Sequence, residues 1–282
     1  MQTTRVALIQ VAWLGSTEAM MNQYRTLVAD AAARGAILVC LPEFSLIPYF
    51  PGTTDPAGFK WAEALPGGMS ERFFSDLARE HSVSLVGSLF ERTPDGVYYD
   101  TATIHAADGT LTGITRKIHI PSGTGYNETS FFGGGADYPV HDVGALKMAT
   151  PTCYDQWFPE LARIYSLNGA EFIFYPTAIG SEPEDPNIDT AESWQTVMRG
   201  HAIANGIFIG AANRVGVENG VTFYGSSFVC DPTGKILAQA GRDTTEVLVV
   251  ELDAGIFNHW RALFPLLRQR RADTYASIAA DV

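Results

Sequence analysis

Residues 36–41 read A-I-L-V-C-L, an apolar run with no polar interruption. Such a run has no face to turn toward water, so it predicts a strand buried on both sides. A helix precedes it: Ser16 or Thr17 offers an N-cap, and the helical pattern runs to about Arg34, where Gly35 stops it. The same unit recurs along the chain. A helix from Ser70 to about His81 precedes the run at 83–90. Another at 159–167 ends at Asn168-Gly169 ahead of 171–175, and one from about Thr190 to Asn205 leads to 207–212. Strands are also expected at 5–11, 140–152, 221–229, 235–240 and 246–252. Asp108-Gly109, between 97–106 and 110–117, is a hairpin signal. Helices alternating with buried strands, together with hairpins, predict an α/β layered sandwich with mixed sheets. No composition break marks a linker, so the 282 residues are expected to form one domain. A C-terminal arm is expected from about residue 255 to 282, with a basic and aromatic stretch at 260–275.

Nineteen Lys and Arg against 31 Asp and Glu leave a net charge of −12. That argues against nucleic acid as a partner and is compatible with a cationic ligand. Cys40, Cys153 and Cys230 are odd in number, widely spaced and without a C-x-x-C pair, which suits a reduced, cytoplasmic chain with no disulfide framework. The opening M-Q-T-T-R-V-A-L-I-Q-V-A-W turns polar too soon for a signal peptide. No apolar run approaches the ~18–20 residues that a membrane helix needs, so no membrane partner is expected. Asn127-Glu128-Thr129 matches a glycosylation acceptor, but without a secretory signal it reads as chance.

The chemistry centres on residues 149–160, A-T-P-T-C-Y-D-Q-W-F-P-E. Cys153 stands between the apolar run at 140–152 and a segment that starts like a helix, where the first N–H groups and the helix dipole favour a thiolate. A cysteine after a strand is more often a small buried hydrophobe, and it carries nothing alone. Two further polar residues also follow strands: Glu43 after A-I-L-V-C-L-P and Lys117 after T-G-I-T-R. Either by itself would pass for a solvated loop charge. Together the three are complementary, and strand ends are where α/β proteins gather their sites. A thiol needs a base, which Glu43 supplies, and a tetrahedral oxyanion needs a fixed positive group, which Lys117 supplies.

These three strand ends resemble the Glu-Lys-Cys triad of the nitrilase superfamily of carbon–nitrogen hydrolases. Leu41-Pro42-Glu43-Phe44, Arg116-Lys117-Ile118-His119-Ile120-Pro121 and Cys153-Tyr154-Asp155 match its three signatures. Gly125-Tyr126-Asn127-Glu128 resembles the segment bearing a second glutamate, which puts Glu128 in the site. The similarity covers nearly the whole chain and implies an α-β-β-α layered sandwich with two mixed β-sheets. Within the superfamily the chain is most similar to N-carbamoylputrescine amidohydrolases, on D-Q-W-F-P-E (155–160), Y-P-T-A-I-G-S-E-P (175–183), R-G-H-A-I-A-N-G (199–206), A-A-N-R-V-G (211–216) and T-F-Y-G-S-S-F (222–228). It departs from its relatives in places. Thr150-Pro151-Thr152 replaces an aliphatic strand end, and because proline lacks an N–H, Pro151 implies a strand edge or bulge beside Cys153. Gly133-Gly134-Gly135 replaces a Pro-Gly, the loop between Gly216 and Val221 is short, and Arg270-Arg271-Ala272-Asp273 lacks a proline common there.

The resemblance implies that Glu43 takes the Cys153 proton and that the thiolate attacks an amide or ureido carbonyl. Lys117 and a backbone N–H, that of Tyr154, would hold the oxyanion. Ammonia would leave and water would hydrolyse the acyl-enzyme. Glu128 would position Lys117 or the substrate nitrogen. Tyr154, Asp155, Trp157, Thr177, His119 and Glu182 are the expected substrate-binding residues. Glu182 is chosen from the acids Glu182, Glu184, Asp185 and Asp189 to meet the amine end of a carbamoylpolyamine, although acidic loops are usually solvated surface. Neither a cofactor nor a metal is expected: there is no H-E-x-x-H and no clustered Cys/His spacing. There is no G-x-S-x-G, the six histidines are scattered, and no helix follows Gly133–Gly135, which tells against a serine hydrolase, a Cys–His pair and a nucleotide loop. A β-ureidopropionase, an ω-amidase or a thiol nitrilase would share the chemistry, and a non-catalytic binding protein would share the fold. Relatives pair through the Cys-bearing helix and the terminal arm, so a homodimer or larger homo-oligomer is expected, in keeping with the apolar, aromatic stretch at 260–264.

Overall fold

In a computed structural model that describes residues 1–280, the run at 36–41 supplies the strand Leu38–Cys40. Its side chains alternate between two cores. Cys40 and Leu38 join Val6 and Leu8 on one face, and Val39 and Leu41 join Ala7 and Ile9 on the other. Both faces are covered from Leu38 to Leu41, whereas Ile37, ahead of the strand, is exposed and departs from the expected burial.

The first sheet follows the order Val221–Tyr224, Arg214–Glu218, Thr4–Ala12, Leu38–Cys40, Ser84–Arg92, Tyr98–His105, Leu111–Arg116. Glu246–Leu252 also pairs antiparallel with Thr4–Ala12, from Thr4 opposite Leu252 to Gln10 opposite Glu246. Its centre is parallel, and the expected hairpin at Asp108-Gly109 makes its far edge antiparallel. The second sheet runs Ile236–Gln239, Phe228–Cys230, Phe208–Ala212, Phe172–Pro176, Leu146–Ala149, His141–Val143, again mixed. Helices Thr17–Ala33 and Met69–His81 bury Met20, Tyr24, Val28, Phe74 and Leu77 on the outer face of the first sheet. Helices Pro159–Leu167 and Ala191–Asn205 cover the second sheet, with Trp194 and Met198 in the core that also holds Val6, Leu8 and Val86. Two mixed sheets face each other between helix layers, as expected.

Three strand expectations need correction. The stretch 140–152 is not one strand: it turns at Gly144 (φ +60°) into the hairpin His141–Val143 and Leu146–Ala149. Residues 221–229 are split at Gly225-Ser226-Ser227, so that Val221–Tyr224 belongs to the first sheet and Phe228–Cys230 to the second. Pro151 makes no bulge, because strand pairing already ends at Ala149 opposite Ile173. The arm begins with a helix, Ala254–Leu263, capped by Asp253, whose side chain accepts from the Gly255 N–H. Its last two positions, Asp281 and Val282, lie outside the described residues. Among the described residues, no helix is long and apolar enough to cross a membrane.

Candidate active site

Glu43, Lys117 and Cys153 each lie a few residues beyond a strand end, and the two sheets bring them together. Lys117 Nζ donates to Glu43 Oε1 at 2.8 Å and to Glu128 Oε2 at 2.5 Å, all three side chains being fully buried. The backbone holds each partner in place. Arg214, itself buried, donates to the carbonyls of Glu43, Phe44 and Ile47 at 3.1 Å each and pairs in bidentate fashion with Glu218 at 2.9 and 3.0 Å. That clamp holds Phe44 in the left-handed region (φ +47°), a conformation costing about 1–3 kcal/mol for a non-glycine residue. On the Lys117 side, the Gly135 N–H donates to the Lys117 carbonyl at 2.7 Å. A Cβ on Gly134 would meet the Ile118 carbonyl oxygen at 2.5 Å, so glycine is required for this approach. Tyr49 donates its hydroxyl to Glu128 Oε1 at 2.9 Å.

Cys153 also has a positive φ, +44°, which turns its side chain out of the extended path left by Leu146–Ala149. Its Sγ donates to the Ala178 carbonyl at 3.7 Å. The expected helix is a single 3₁₀ turn, Cys153–Trp157, too short to build a strong dipole. Burial and then the Glu43 carboxylate push the thiol well above its ordinary range, with Lys117 pulling the other way. The expected dipole-stabilised thiolate is therefore corrected: this short turn offers little dipole, burial and Glu43 disfavour the thiolate, and a base has to draw the proton off. Burial opposes the Lys117 charge most strongly of any one cause, yet Glu128, Glu43 and their neighbours together hold it well above the usual lysine range. Burial pushes Glu128 up to about 7, with Lys117 opposing and Glu43 reinforcing.

Carboxyl oxygens of Glu43, Asp100 and Glu128 lie within 4.8 Å of one another, a spacing a metal ion could use. Lys117 Nζ stands among them, 3.6 Å from Asp100 Oδ2, so the chain supplies this acid cluster with its own cation.

A pocket of about 220 Å³ reaches Cys153 and Glu128 and is also lined by Gln156, Trp157, Tyr126 and Glu182. Tyr154, Trp157 and Glu182 line it as expected. Asp155, Thr177 and His119 do not. The 3₁₀ turn directs Asp155 inward, where it accepts the N–H groups of Ile118, His119 and Thr152 at 3.2, 2.8 and 3.1 Å. It thereby ties the Lys117 segment to the Cys153 turn. His119 pairs with Asp155 at 2.8 Å and stacks on Phe158, because the strand that would have shared a face with Lys117 ends at Arg116. Thr177 is buried, its hydroxyl spent on the Tyr175 carbonyl. Gln156, Tyr126 and Asp100 escaped the residue reading. Gln156 Nε2 has no partner among the described residues, so it has a donor to offer. Tyr126 joins the acidic loop, donating to the Ser181 carbonyl at 3.0 Å. At the rim Glu182 is half-buried and raised by burial and then by Glu184, which itself accepts from Thr124 at 2.6 Å. Among the described residues, no Lys or Arg lines the pocket.

The arrangement can accept a proton from a thiol, hold an oxyanion with an ammonium, and meet a cation at its mouth. A model of the carbon-nitrogen hydrolase family matches residues 5–262. A citrullinase from Francisella tularensis subsp. tularensis is 36% identical, covering 99% of both chains. An N-carbamoylputrescine amidase from Arabidopsis thaliana is 39% identical over 88% of this chain and 86% of that one. The crystal structure of a carbon-nitrogen hydrolase from Helicobacter pylori G27 superposes with a TM-score of 0.94 at 35% identity, covering 99% of each chain.

Proposed function

Since the chain belongs to the carbon–nitrogen hydrolase family and is an amidohydrolase of that family, we propose that it hydrolyses N-carbamoylputrescine through Cys153. Glu43 accepts the Cys153 proton, and the thiolate attacks the ureido carbonyl. Lys117 spends two of its three N–H groups on Glu43 and Glu128 and directs the third at the oxyanion, with the Tyr154 N–H as second donor. Collapse transfers the Glu43 proton to the departing nitrogen, so ammonia leaves and a thiocarbamate to Cys153 remains. Water, deprotonated by Glu43, displaces the thiolate. The carbamate product loses carbon dioxide to give putrescine. Glu128 keeps Lys117 charged and oriented.

The observation that carries the substrate reading is the pocket lining: Glu182 and Glu184 at the mouth, with no cationic side chain among the described lining residues. An amine-tailed substrate finds counter-charges there, whereas the carboxylate of an N-carbamoyl-β-alanine or an ω-amide of a dicarboxylate meets only like charge. A second copy of the chain is the occupant we infer for the apolar surface that Leu167 and Ile278 expose beside Pro159–Leu167. A gel-filtration mass of one chain would oppose that. One domain is inferred because a single core takes side chains from both sheets. Three buried free thiols suit a reducing compartment such as the cytoplasm.

The test is ammonia release from N-carbamoylputrescine, N-carbamoyl-β-alanine and a simple aliphatic amide. Preference for the first, lost in Cys153→Ala, is the expected result. Turnover confined to the other two would keep the mechanism and refute the substrate.

A further inference from the structure

The cluster beneath Cys153 holds three carboxyls and one ammonium, all fully buried: Glu43, Asp100, Glu128 and Lys117. With every carboxyl ionised it would carry two uncompensated negative charges away from water, which a protein interior does not tolerate. At least one proton therefore resides in it. The hydrogen bonds say where. Asp100 Oδ1 takes the Ser88 hydroxyl at 3.2 Å, but its Oδ2 has no partner among the described residues. Glu43 Oε1 takes Lys117, but its Oε2 has none. Lys117 Nζ stays 3.6 Å from Asp100, beyond hydrogen-bond reach. One proton shared between Asp100 and Glu43 satisfies both orphaned oxygens.

We propose that Asp100 is a positioning residue, a neutral acid whose carboxyl O–H donates to Glu43 and keeps Glu43 the ionised, correctly oriented carboxylate beside Cys153. The groups that face Asp100 are Glu43, Lys117, Glu128 and the neutral Ser88. Burial and then the negative charge of Glu43 push the Asp100 carboxyl well above its ordinary range, the direction the assignment needs. The same assignment frees the third N–H of Lys117 for the substrate oxygen, since a neutral Asp100 does not compete for it. It rests on Glu43 being the base for Cys153, and it can be tested without turnover.

In the substrate-free protein, infrared difference spectra of wild type against Asp100→Asn at neutral pH should show the loss of one protonated-carboxyl C=O band. Asparagine keeps an N–H donor toward Glu43 and removes no charge. Alkylation of Cys153 by iodoacetamide, read by peptide mass, should therefore stay within about twofold of wild type at neutral pH. Asp100→Ala removes the donor and should lower kcat by about tenfold to a hundredfold with KM little changed. Persistence of the band in Asp100→Asn overturns the proposal. So does a tenfold faster alkylation in that variant, which would report the removal of a negative charge, or an Asp100→Ala enzyme with wild-type kcat. The infrared result decides the proton's position whether or not Cys153→Ala keeps turnover, so the two assignments fail separately.

Discussion

The floor and the rim of the pocket use the same side-chain type under opposite conditions. On the floor, Glu43, Asp100 and Glu128 are buried, and Lys117, Tyr49 and Ser88 fix where their oxygens point. On the rim, Glu182 and Glu184 remain partly or well exposed on the loop between Phe172–Pro176 and Ala191–Asn205. A carboxyl of the first kind has its charge set by its neighbours, and disturbing one disturbs all. A carboxylate of the second kind is screened by solvent until a ligand brings it a cation. Floor substitutions should therefore act on kcat and stability, and rim substitutions on KM for cationic substrates alone.

The largest effect expected is from Cys153→Ala: loss of at least about a thousandfold in kcat/KM for every substrate, with the thermal transition retained. A variant that kept activity would dissolve the distinction between floor and rim. Next comes Arg214→Ala. It leaves Glu218 buried without its partner and frees three carbonyls behind Glu43, so unfolding in denaturant should show a loss of about 3–5 kcal/mol. A loss below ~1 kcal/mol would mean that the clamp is not what holds the floor.

Glu182→Gln sharpens the comparison from the other side. KM for N-carbamoylputrescine should rise about tenfold, equivalent to ~1.4 kcal/mol, with kcat unchanged and a neutral-tailed amide unaffected. Equal losses on both substrates would make Glu182 a structural residue of the loop. The smallest effect lies in pH dependence. Burial raises the Glu128 carboxyl from 4.5 to about 7, so between these values the folded state binds more protons than the unfolded one. Stability should accordingly fall as pH rises through that window, and level off outside it as far as this group is concerned. Glu128→Gln has no such proton to lose, so its stability relative to wild type should increase from pH 4.5 to 7. A difference independent of pH would contradict the assignment.

How much of this was legible in the sequence differed between fold and site. The strand Leu38–Cys40 within 36–41 was legible because burial on both faces leaves a compositional trace. The break within 221–229 was signalled by Gly225-Ser226-Ser227, but only tertiary pairing assigns Val221–Tyr224 and Phe228–Cys230 to different sheets. The hairpin within 140–152 was signalled by Gly144, which the strong apolar pattern on either side masked. In the site, Glu43, Lys117 and Cys153 were readable as chemistry displaced to strand ends. Asp155 was misjudged because adjacency to Cys153 says nothing about direction, and a 3₁₀ turn points its third residue back into the protein. Asp100 had a signal of its own, a carboxylate in the middle of the strand Tyr98–His105, whose burial needs a partner that only the fold supplies.

One measurement reaches the central claim most directly: rapid-quench peptide mass spectrometry of the enzyme mixed with N-carbamoylputrescine. The account predicts a mass increment equal to the substrate less ammonia, on the Cys153 peptide alone, formed and lost within a turnover and absent from Cys153→Ala. Turnover of that substrate with no adduct trapped at any quench time, and with Cys153→Ala still active, would contradict it.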